Sequence, residues 1–289
     1  MDFPNLSIKA PGLDMQGSLS LAENFRLLNL DFTKAYVDGF IDSSLQVKPD
    51  EAGEKLSIFV SGRFLDVSEF ISNAMSSGGS AASIPVFLTA GIERLALAEA
   101  YIVSDANVLF SHDGTGITNA RLSGKTPDGE LTAEIVTGLL DAPQSPNRRI
   151  NIEIPDSSKA LFAFFGMENM EGGHMNVDAE LPPLGVLGAI NGTLNMREFK
   201  LIEAPILAQM LSIGSLTGLL DTLSGSGLAF DELNIPFSLR GKRLSFRDAR
   251  VSGPALGMTG AGDVSFDDQV LELDAVSYTH LTLPTICSV

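Results

Sequence analysis

Apolar and polar residues alternate with a period of two along most of this chain, and this feature constrains its fold more than any other. Successive side chains of a β-strand point to opposite faces, so the alternation predicts strands with one apolar face. The clearest apolar positions are Ile150, Ile152 and Ile154, then Leu194 and Met196, then Ile235, Phe237 and Leu239. The sequence therefore predicts a mainly β protein.

Turn sequences separate the alternating stretches. Asp113-Gly114 favours a tight turn between Val108–Phe110 and Ile117, and Pro127-Asp128-Gly129 and Gly241-Lys242 are further turn sequences. Connections this short join antiparallel neighbours, whereas a parallel pair needs a crossover of a dozen or more residues. We therefore expect an antiparallel sheet and no parallel α/β arrangement.

A short motif recurs in two of these predicted hairpins. Ile117–Gly124 reads ITNARLSG and Phe246–Gly253 reads FRDARVSG, and each motif precedes a glycine-punctuated strand. Two copies favour an elongated sheet of similar hairpins in which each hairpin contacts mainly its neighbours.

Three segments have a helical pattern. Val67–Met75 follows Asp66, a candidate N-cap, and Ser157–Phe165 follows Pro155-Asp156 and ends before Gly166. In Pro205–Leu223 apolar residues recur at spacings of three and four. We expect this third helix to bury a broad apolar face against the sheet, and an interfacial membrane helix is the alternative.

Charge and composition exclude several classes of function. The net charge of −17 argues against a nucleic-acid partner, because phosphate binding needs a basic surface. The densest basic stretch, Arg240–Arg250, alternates like a strand, so we interpret it as a solvated sheet face or hairpin end. The sequence has no run of eighteen apolar residues that would span a membrane, and its N-terminus does not resemble a signal peptide.

Candidate catalytic residues are few. His112 and His174 are expected in turns, and neither has a ligand-forming residue at the spacing of a metal site. Gly114-Thr115-Gly116 has Asn119 where a dinucleotide-binding loop needs its third glycine. Gly225-Ser226-Gly227 follows a predicted helix, whereas a nucleophile elbow precedes one. We therefore expect no enzymatic activity, no cofactor and no metal.

The last thirteen residues, Ser277–Val289, differ in character from the rest of the chain. They resemble a translated sequencing-adapter read-through and contain the only cysteine, Cys287. We therefore expect residues 277–289 to be a non-native tail that contributes nothing to the fold, with the native sequence interrupted near Ala275.

Phe199–Val264 resembles the AsmA-like C-terminal region of the AsmA/TamB/YhdP group of Gram-negative envelope proteins, and is nearest to alphaproteobacterial YhdP-like members. The matching motifs, in chain order, are Ala204-Pro205, Ser215–Leu220, Ser224-Gly225, Gly227, Asp248-Ala249-Arg250, Gly253-Pro254 and Gly257. Upstream, Ser61-Gly62-Arg63 with Leu65-Asp66 resembles the strand-to-helix element of that group, and Leu161–Gly173 resembles its helix and turn. The resemblance covers most of Leu56–Asp274, and it implies that residues 1–276 are a fragment of one AsmA-like β-groove region.

The resemblance implies an elongated, curved sheet that forms an open apolar groove, with a few short amphipathic helices. It also implies a periplasmic location, an inner-membrane anchor upstream of Met1, and transport of phospholipid toward the outer membrane in support of envelope integrity. Phospholipid acyl chains would be the ligand, and other envelope proteins are possible partners. The candidate groove residues are Ile150, Ile152, Ile154, Leu194, Met196, Ile235, Phe237 and Leu239.

A structural or interaction scaffold is the alternative function. A β-solenoid or adhesin-like stalk has the same alternating strands but packs them into a closed core. An apolar face that remains accessible favours transport, and a sealed core favours a scaffold.

Overall fold

The computed structural model of the chain describes residues 1–77, 84–137, 148–203, 226–265 and 270–278. Its described elements are sixteen strands and two helices, so the prediction of a mainly β protein is confirmed. The hydrogen-bonding order of the strands follows the chain from the first strand to the sixteenth. The predicted helix Pro205–Leu223 lies outside the described residues.

The first part of the chain contains ten strands and one helix. In chain order they are β1 (Asp2–Ala10), β2 (Leu13–Leu21), β3 (Leu27–Val37), β4 (Ile41–Pro49), β5 (Leu56–Asp66), α1 (Ser68–Ser77), β6 (Val86–Ala98), β7 (Tyr101–His112), β8 (Ile117–Thr126), β9 (Gly129–Thr137) and β10 (Arg148–Ile154).

The second part contains six strands and one helix. They are α2 (Ser157–Phe165), β11 (Met170–Leu181), β12 (Ile190–Leu201), β13 (Leu228–Arg240), β14 (Arg243–Ser252), β15 (Gly257–Ser265) and β16 (Val270–Tyr278).

The predicted turns and hairpins are confirmed. Residues 113–116 join β7 to β8, residues 127 and 128 join β8 to β9, and Gly241-Lys242 joins β13 to β14. The first copy of the repeated motif lies in β8, and the second lies in β14 except for its last residue, Gly253, which follows the strand. In both copies the last glycine lies against the preceding strand. A Cβ on Gly124 would be 2.9 Å from the Ser104 carbonyl oxygen, and a Cβ on Gly253 would be 2.4 Å from the Ala229 carbonyl oxygen.

The prediction of antiparallel neighbours throughout is wrong at one pair. β5 and β6 are parallel, with Val60 opposite Ala90 and Leu65 opposite Leu95. The reason is α1, which lies between them in the chain and provides the crossover that a parallel pair requires. The other strand pairs whose register the described residues define are antiparallel.

Two predictions about local structure also need correction. Neither histidine lies in a turn as expected: His112 is the last residue of β7, and His174 lies in β11, which continues through Gly172 and Gly173 at φ values of 65° and 92°. Ser277 and Tyr278 extend β16, where they lie opposite Met258 and Gly257 of β15. The expectation that the tail contributes nothing to the fold is therefore wrong for these two residues, and 279–289 lie outside the described residues.

The chain forms two compact units. Unit 1 comprises Met1–Pro155 and Asp178–Ile190, and unit 2 comprises 156–177 and the residues after 190. The core of unit 1 contains Ile41, Ile92, Leu95, Val103, Ala106 and Leu131. In the core of unit 2, the rings of Phe199 and Phe230 stack with their centroids 5.3 Å apart.

Irregular pairing bends the sheet at several places in unit 1. Register shifts occur in the pairs β1–β2, β2–β3, β3–β4, β4–β5, β6–β7 and β7–β8. A bulge adds one residue to one strand and increases the local right-handed twist, so repeated bulges curve a sheet. The described strands all belong to one sheet.

Candidate functional site: the apolar face of the sheet

In unit 1 one face of the sheet carries apolar side chains in rows that cross the strands. Residues directly opposite each other in paired strands share a face, so the register defines each row. The first row, which we call the open row, runs from β2 to β10 and consists of Leu19, Leu30, Val47, Ile58, Leu88, Phe110, Ala120, Ile135 and Ile150. Every member of the open row is half-buried and retains contact with solvent.

Two more rows lie beside the open row on the same face. The middle row consists of Gly17, Phe32, Leu45, Val60, Ala90, Val108, Leu122, Ala133 and Ile152. The closed row consists of Met15, Ala35, Ser43, Gly62, Ile92 and Ala106. Together the three rows form what we call the apolar face of unit 1.

Burial increases from one end of this face to the other. In the closed row Ala35 is 0% exposed, Ile92 2% and Ala106 1%, whereas all nine members of the open row are half-buried. The face therefore has a packed end and an open end. We call the side of the open row the open end.

Three of the predicted groove residues belong to this face. Ile150 lies opposite Ile135 in the open row, and Ile152 lies opposite Ala133 in the middle row. Ile154 has the same strand parity and is half-buried as well. Glu153, which has the opposite parity, is exposed.

The other five predicted residues lie in unit 2. Phe237 is opposite Phe246, and Leu239 is opposite Leu244, so the β13–β14 hairpin also has an apolar face. Ile235, Phe237, Leu239 and Leu194 are half-buried. Met196 is only 3% exposed and packs in the core of unit 2, so it is the least accessible of the eight candidates.

The opposite face of unit 1 is mainly polar. Its ion pairs include Arg121 with Glu134, at 3.2 Å, and Lys125 with Asp105, at 3.0 Å. Phe59, Phe87 and Leu109 interrupt it and are 41–46% exposed. The two faces therefore differ in chemistry as the alternation predicts, although the polar face carries this small apolar cluster.

The loop at 113–116 shows how the glycine-rich turns use their backbone. The Asp113 carboxylate accepts hydrogen bonds from the Thr115 hydroxyl and backbone N–H and from the Gly116 N–H, at 2.7–3.0 Å. These bonds, led by that of the Thr115 hydroxyl, lower the pKa of Asp113 below its usual value. His112 Nδ1 accepts the Gly114 N–H at 2.9 Å. The donors that would hold a phosphate are thus engaged within the turn.

The basic stretch at 240–250 also has partners within the chain. Arg247 donates to the carbonyl oxygens of Phe246 and Gly262 and pairs with Asp263 at 3.2 Å, and Arg243 pairs with Asp263 at 3.6 Å. A hydrogen bond from Ser245 and another from Arg247 lower the pKa of Asp263. All five basic residues of this stretch are exposed on the β13–β14 hairpin, as expected of a solvated sheet face or hairpin end.

Metal-binding and membrane-spanning features are not found within the described ranges. Those residues contain no group of three or more His, Cys, Asp or Glu side chains arranged to hold a metal ion. Neither α1 nor α2 is long and apolar enough to cross a membrane.

Comparison with known proteins identified no relative: no protein-family model, no curated protein and no solved structure matches this chain.

Proposed function

We propose that this chain binds phospholipid acyl chains along its apolar face and is part of a protein that carries phospholipid between membranes. The observation that carries the proposal is the open row, nine apolar positions on nine consecutive strands that all retain contact with solvent. A contiguous apolar surface of this kind marks a ligand or partner site, because soluble proteins rarely leave one in water.

The dimensions of the open row suit an acyl chain. Adjacent strands are about 4.8 Å apart, so the eight steps from β2 to β10 measure roughly 38 Å along the sheet. The hydrocarbon core of a bilayer is about 30 Å thick, so the tails of one leaflet extend roughly 15 Å. Each CH₂ group removed from water contributes about 0.8 kcal/mol, and binding along such a row therefore needs no bond-making step.

The cellular setting of the proposal rests on the resemblance to the AsmA-like region. By that resemblance the chain is a periplasmic segment of a bridge-like protein anchored in the inner membrane. The protein would carry phospholipid toward the outer membrane and support envelope integrity. A non-enzymatic role is consistent with a site built from aliphatic side chains.

A structural scaffold is the second candidate, and the packed end of the apolar face favours it. Ala35, Ile92 and Ala106 are buried as completely as the core of an ordinary globular domain. If the open row were also sealed in solution, the sheet would be a self-contained stalk with no lipid cargo.

Photo-crosslinking in cells that express the full-length protein tests the proposal. A photoreactive amino acid at Ile152, on the apolar face of unit 1, or at Phe237, on the apolar face of the β13–β14 hairpin in unit 2, is expected to capture phospholipid. The same residue at Glu153 or Ser238 is the matched control, because neighbouring strand positions point to opposite faces. We expect capture from the first pair and little or none from the second.

Two results would contradict the proposal. Equal capture from both faces would indicate general proximity to a membrane. Lack of capture from both, in a protein that is correctly exported, would favour the scaffold.

A further inference from the structure

The loop between β11 and β12 has an unusual surface. We call residues Pro182–Ala189 the wedge loop; its sequence, PPLGVLGA, contains no charged residue. Val186 is 55% exposed and Leu187 102% exposed, so two aliphatic side chains project from it into water. Removing an aliphatic side chain of this size from water is strongly favourable. Exposed aliphatic side chains next to each other therefore indicate a surface that binds a partner.

The wedge loop is held firmly in place. Arg148 Nε and Nη2 donate to the Pro182 carbonyl oxygen at 3.2 and 3.1 Å, and Nη1 donates to the Ile117 carbonyl oxygen at 2.9 Å. Leu184 packs on Gly116, where an added Cβ would be 2.8 Å from Leu184 Cδ2. The Arg148 guanidinium donates to both carbonyl oxygens and so ties the loop to the first residue of β8.

The tip of the wedge loop is a defined turn. The Val186 N–H donates to the Pro183 carbonyl oxygen at 3.1 Å, and Gly185 has a φ of 71°. A positive φ at the third residue is the mark of a type II turn, for which glycine is the favoured residue there. The turn therefore fixes the backbone as far as Val186, and Leu187 follows it directly.

The wedge loop lies at the open end of the apolar face. Arg148, which holds it, begins β10 two residues before Ile150 of the open row. Ile117, whose carbonyl oxygen also accepts from Arg148, begins β8. It lies opposite His112, which is two residues after Phe110 of the open row. Loop and open row are thus neighbours in unit 1.

We propose that the wedge loop inserts Val186 and Leu187 into a phospholipid surface, which holds the open end of the apolar face against the bilayer. This inference rests on the proposed lipid function and adds the place where the protein meets the membrane. The net charge of −17 opposes adsorption to anionic lipid, so insertion of uncharged side chains is the favourable mode of contact. A rigid loop loses little conformational entropy on insertion.

Tryptophan fluorescence tests this proposal directly, because the chain contains no tryptophan. The variant L187W carries a single reporter at the tip of the loop. L109W is the matched control, because Leu109 is also exposed, at 41%, and apolar, but it lies in the small apolar cluster on the face of unit 1 opposite the open row. With phosphatidylcholine vesicles, emission from L187W is expected to shift to shorter wavelength and to be quenched by lipids brominated on the acyl chain. Emission from L109W is expected to change in neither respect.

Vesicle sedimentation gives the second readout. L187D is expected to lower the vesicle partition coefficient at least tenfold, and L109D to leave it within twofold of the unsubstituted protein. The proposal is overturned if the unsubstituted protein does not bind the vesicles, or if it binds while the L187W reporter stays in water. The latter result would show that another part of the protein makes the contact with the membrane.

A soluble probe separates this inference from the proposed function. A fluorescent fatty acid, used below its micelle-forming concentration, is expected to bind the unsubstituted protein and L187D equally. If both proteins bind the probe but L187D partitions into vesicles as strongly as the unsubstituted protein, the wedge loop is not the membrane contact. The proposed binding of lipid along the apolar face would then remain supported. If neither binds the probe, the proposed lipid function fails irrespective of the wedge loop.

Discussion

At the scale of single residues, Gly62 shows how closely the strands approach at a bulge. A Cβ at this position would be 2.4 Å from Ser43 Cα and 2.6 Å from Ser43 Oγ, beside the register shift between β4 and β5. Ser43 is held in turn by its hydrogen bond to the Phe64 carbonyl oxygen, at 3.0 Å. Gly62→Ala therefore forces two backbones apart, and we expect it to lower the free energy of unfolding by roughly 1–3 kcal/mol in urea titrations.

Gly91 is the matched control for that substitution. It lies on β6, the strand next to Gly62, and a Cβ there would meet nothing within 4 Å. Gly91→Ala is expected to leave the free energy of unfolding unchanged or to raise it by up to about 1 kcal/mol, because alanine restricts the unfolded chain. If both substitutions lower the free energy of unfolding equally, the close approach of the backbones of β4 and β5 at Gly62 is not the cause.

At the scale of elements, α2 begins and ends where the sequence predicts. The Asp156 carboxylate caps it by accepting the N–H groups of Ser158 and Lys159, at 3.1 and 3.3 Å. Gly166 ends it in the left-handed conformation, with its N–H donating to the Phe162 carbonyl oxygen at 2.8 Å. These signals were readable because caps act over three or four residues, without help from the rest of the fold.

The cap of α2 predicts how stability changes with pH. Partial burial raises the pKa of Asp156, but hydrogen bonds from Ser158 and Lys159 outweigh it, so the net pKa lies below the usual value. A group whose pKa is depressed on folding stabilises the protein above its unfolded pKa, and that contribution is lost as the pH falls through the folded pKa. Asp156→Ala is therefore expected to lower the free energy of unfolding by about 1 kcal/mol at pH 7 and by less below pH 4.

Asp156→Asn separates the two parts of that effect. Asparagine keeps the side-chain oxygen that accepts the helix N–H groups but does not titrate. We expect it to retain most of the stability at pH 7 and to reduce the pH dependence seen in urea unfolding between pH 7 and pH 3. A pH dependence equal to that of the unsubstituted protein would show that Asp156 is not the group responsible.

Longer-range features of the elements were less predictable. The parallel pairing of β5 and β6 depends on a crossover through α1, and the sequence of α1 alone does not reveal on which side the chain returns. The wedge loop was missed for a similar reason: its tether, Arg148, lies 34 residues away from Pro182 in the chain. Apolar alternation identifies strands, but contacts between distant residues decide how loops are held.

At the scale of the whole molecule, the sequence predicted which residues share a strand face but not which form a row. Ile150 and Ile152 were expected on the apolar face, yet Leu88, Phe110 and Ile58 were not singled out. A row depends on the register of each strand pair, and a shift of one residue moves a side chain to the other face. The bulges set that register, and their positions do not follow from the pattern of a single strand.

The difference between the two ends of the apolar face gives the final prediction. Ile92, in the closed row, is 2% exposed, whereas Ile58, in the open row of the adjacent strand, is half-buried. Replacing Ile92 by alanine leaves a cavity in packed surroundings, so we expect a loss of roughly 2–5 kcal/mol in the free energy of unfolding. The same replacement of Ile58 is expected to cost less than half as much, because solvent already reaches that side chain.

Binding of a soluble fluorescent fatty acid should respond in the opposite order, with Ile58→Ala weakening it more than Ile92→Ala does at a temperature where both are folded. Similar stability losses at the two positions, without an effect on fatty-acid binding, would show that the open end is sealed in solution and would favour the scaffold.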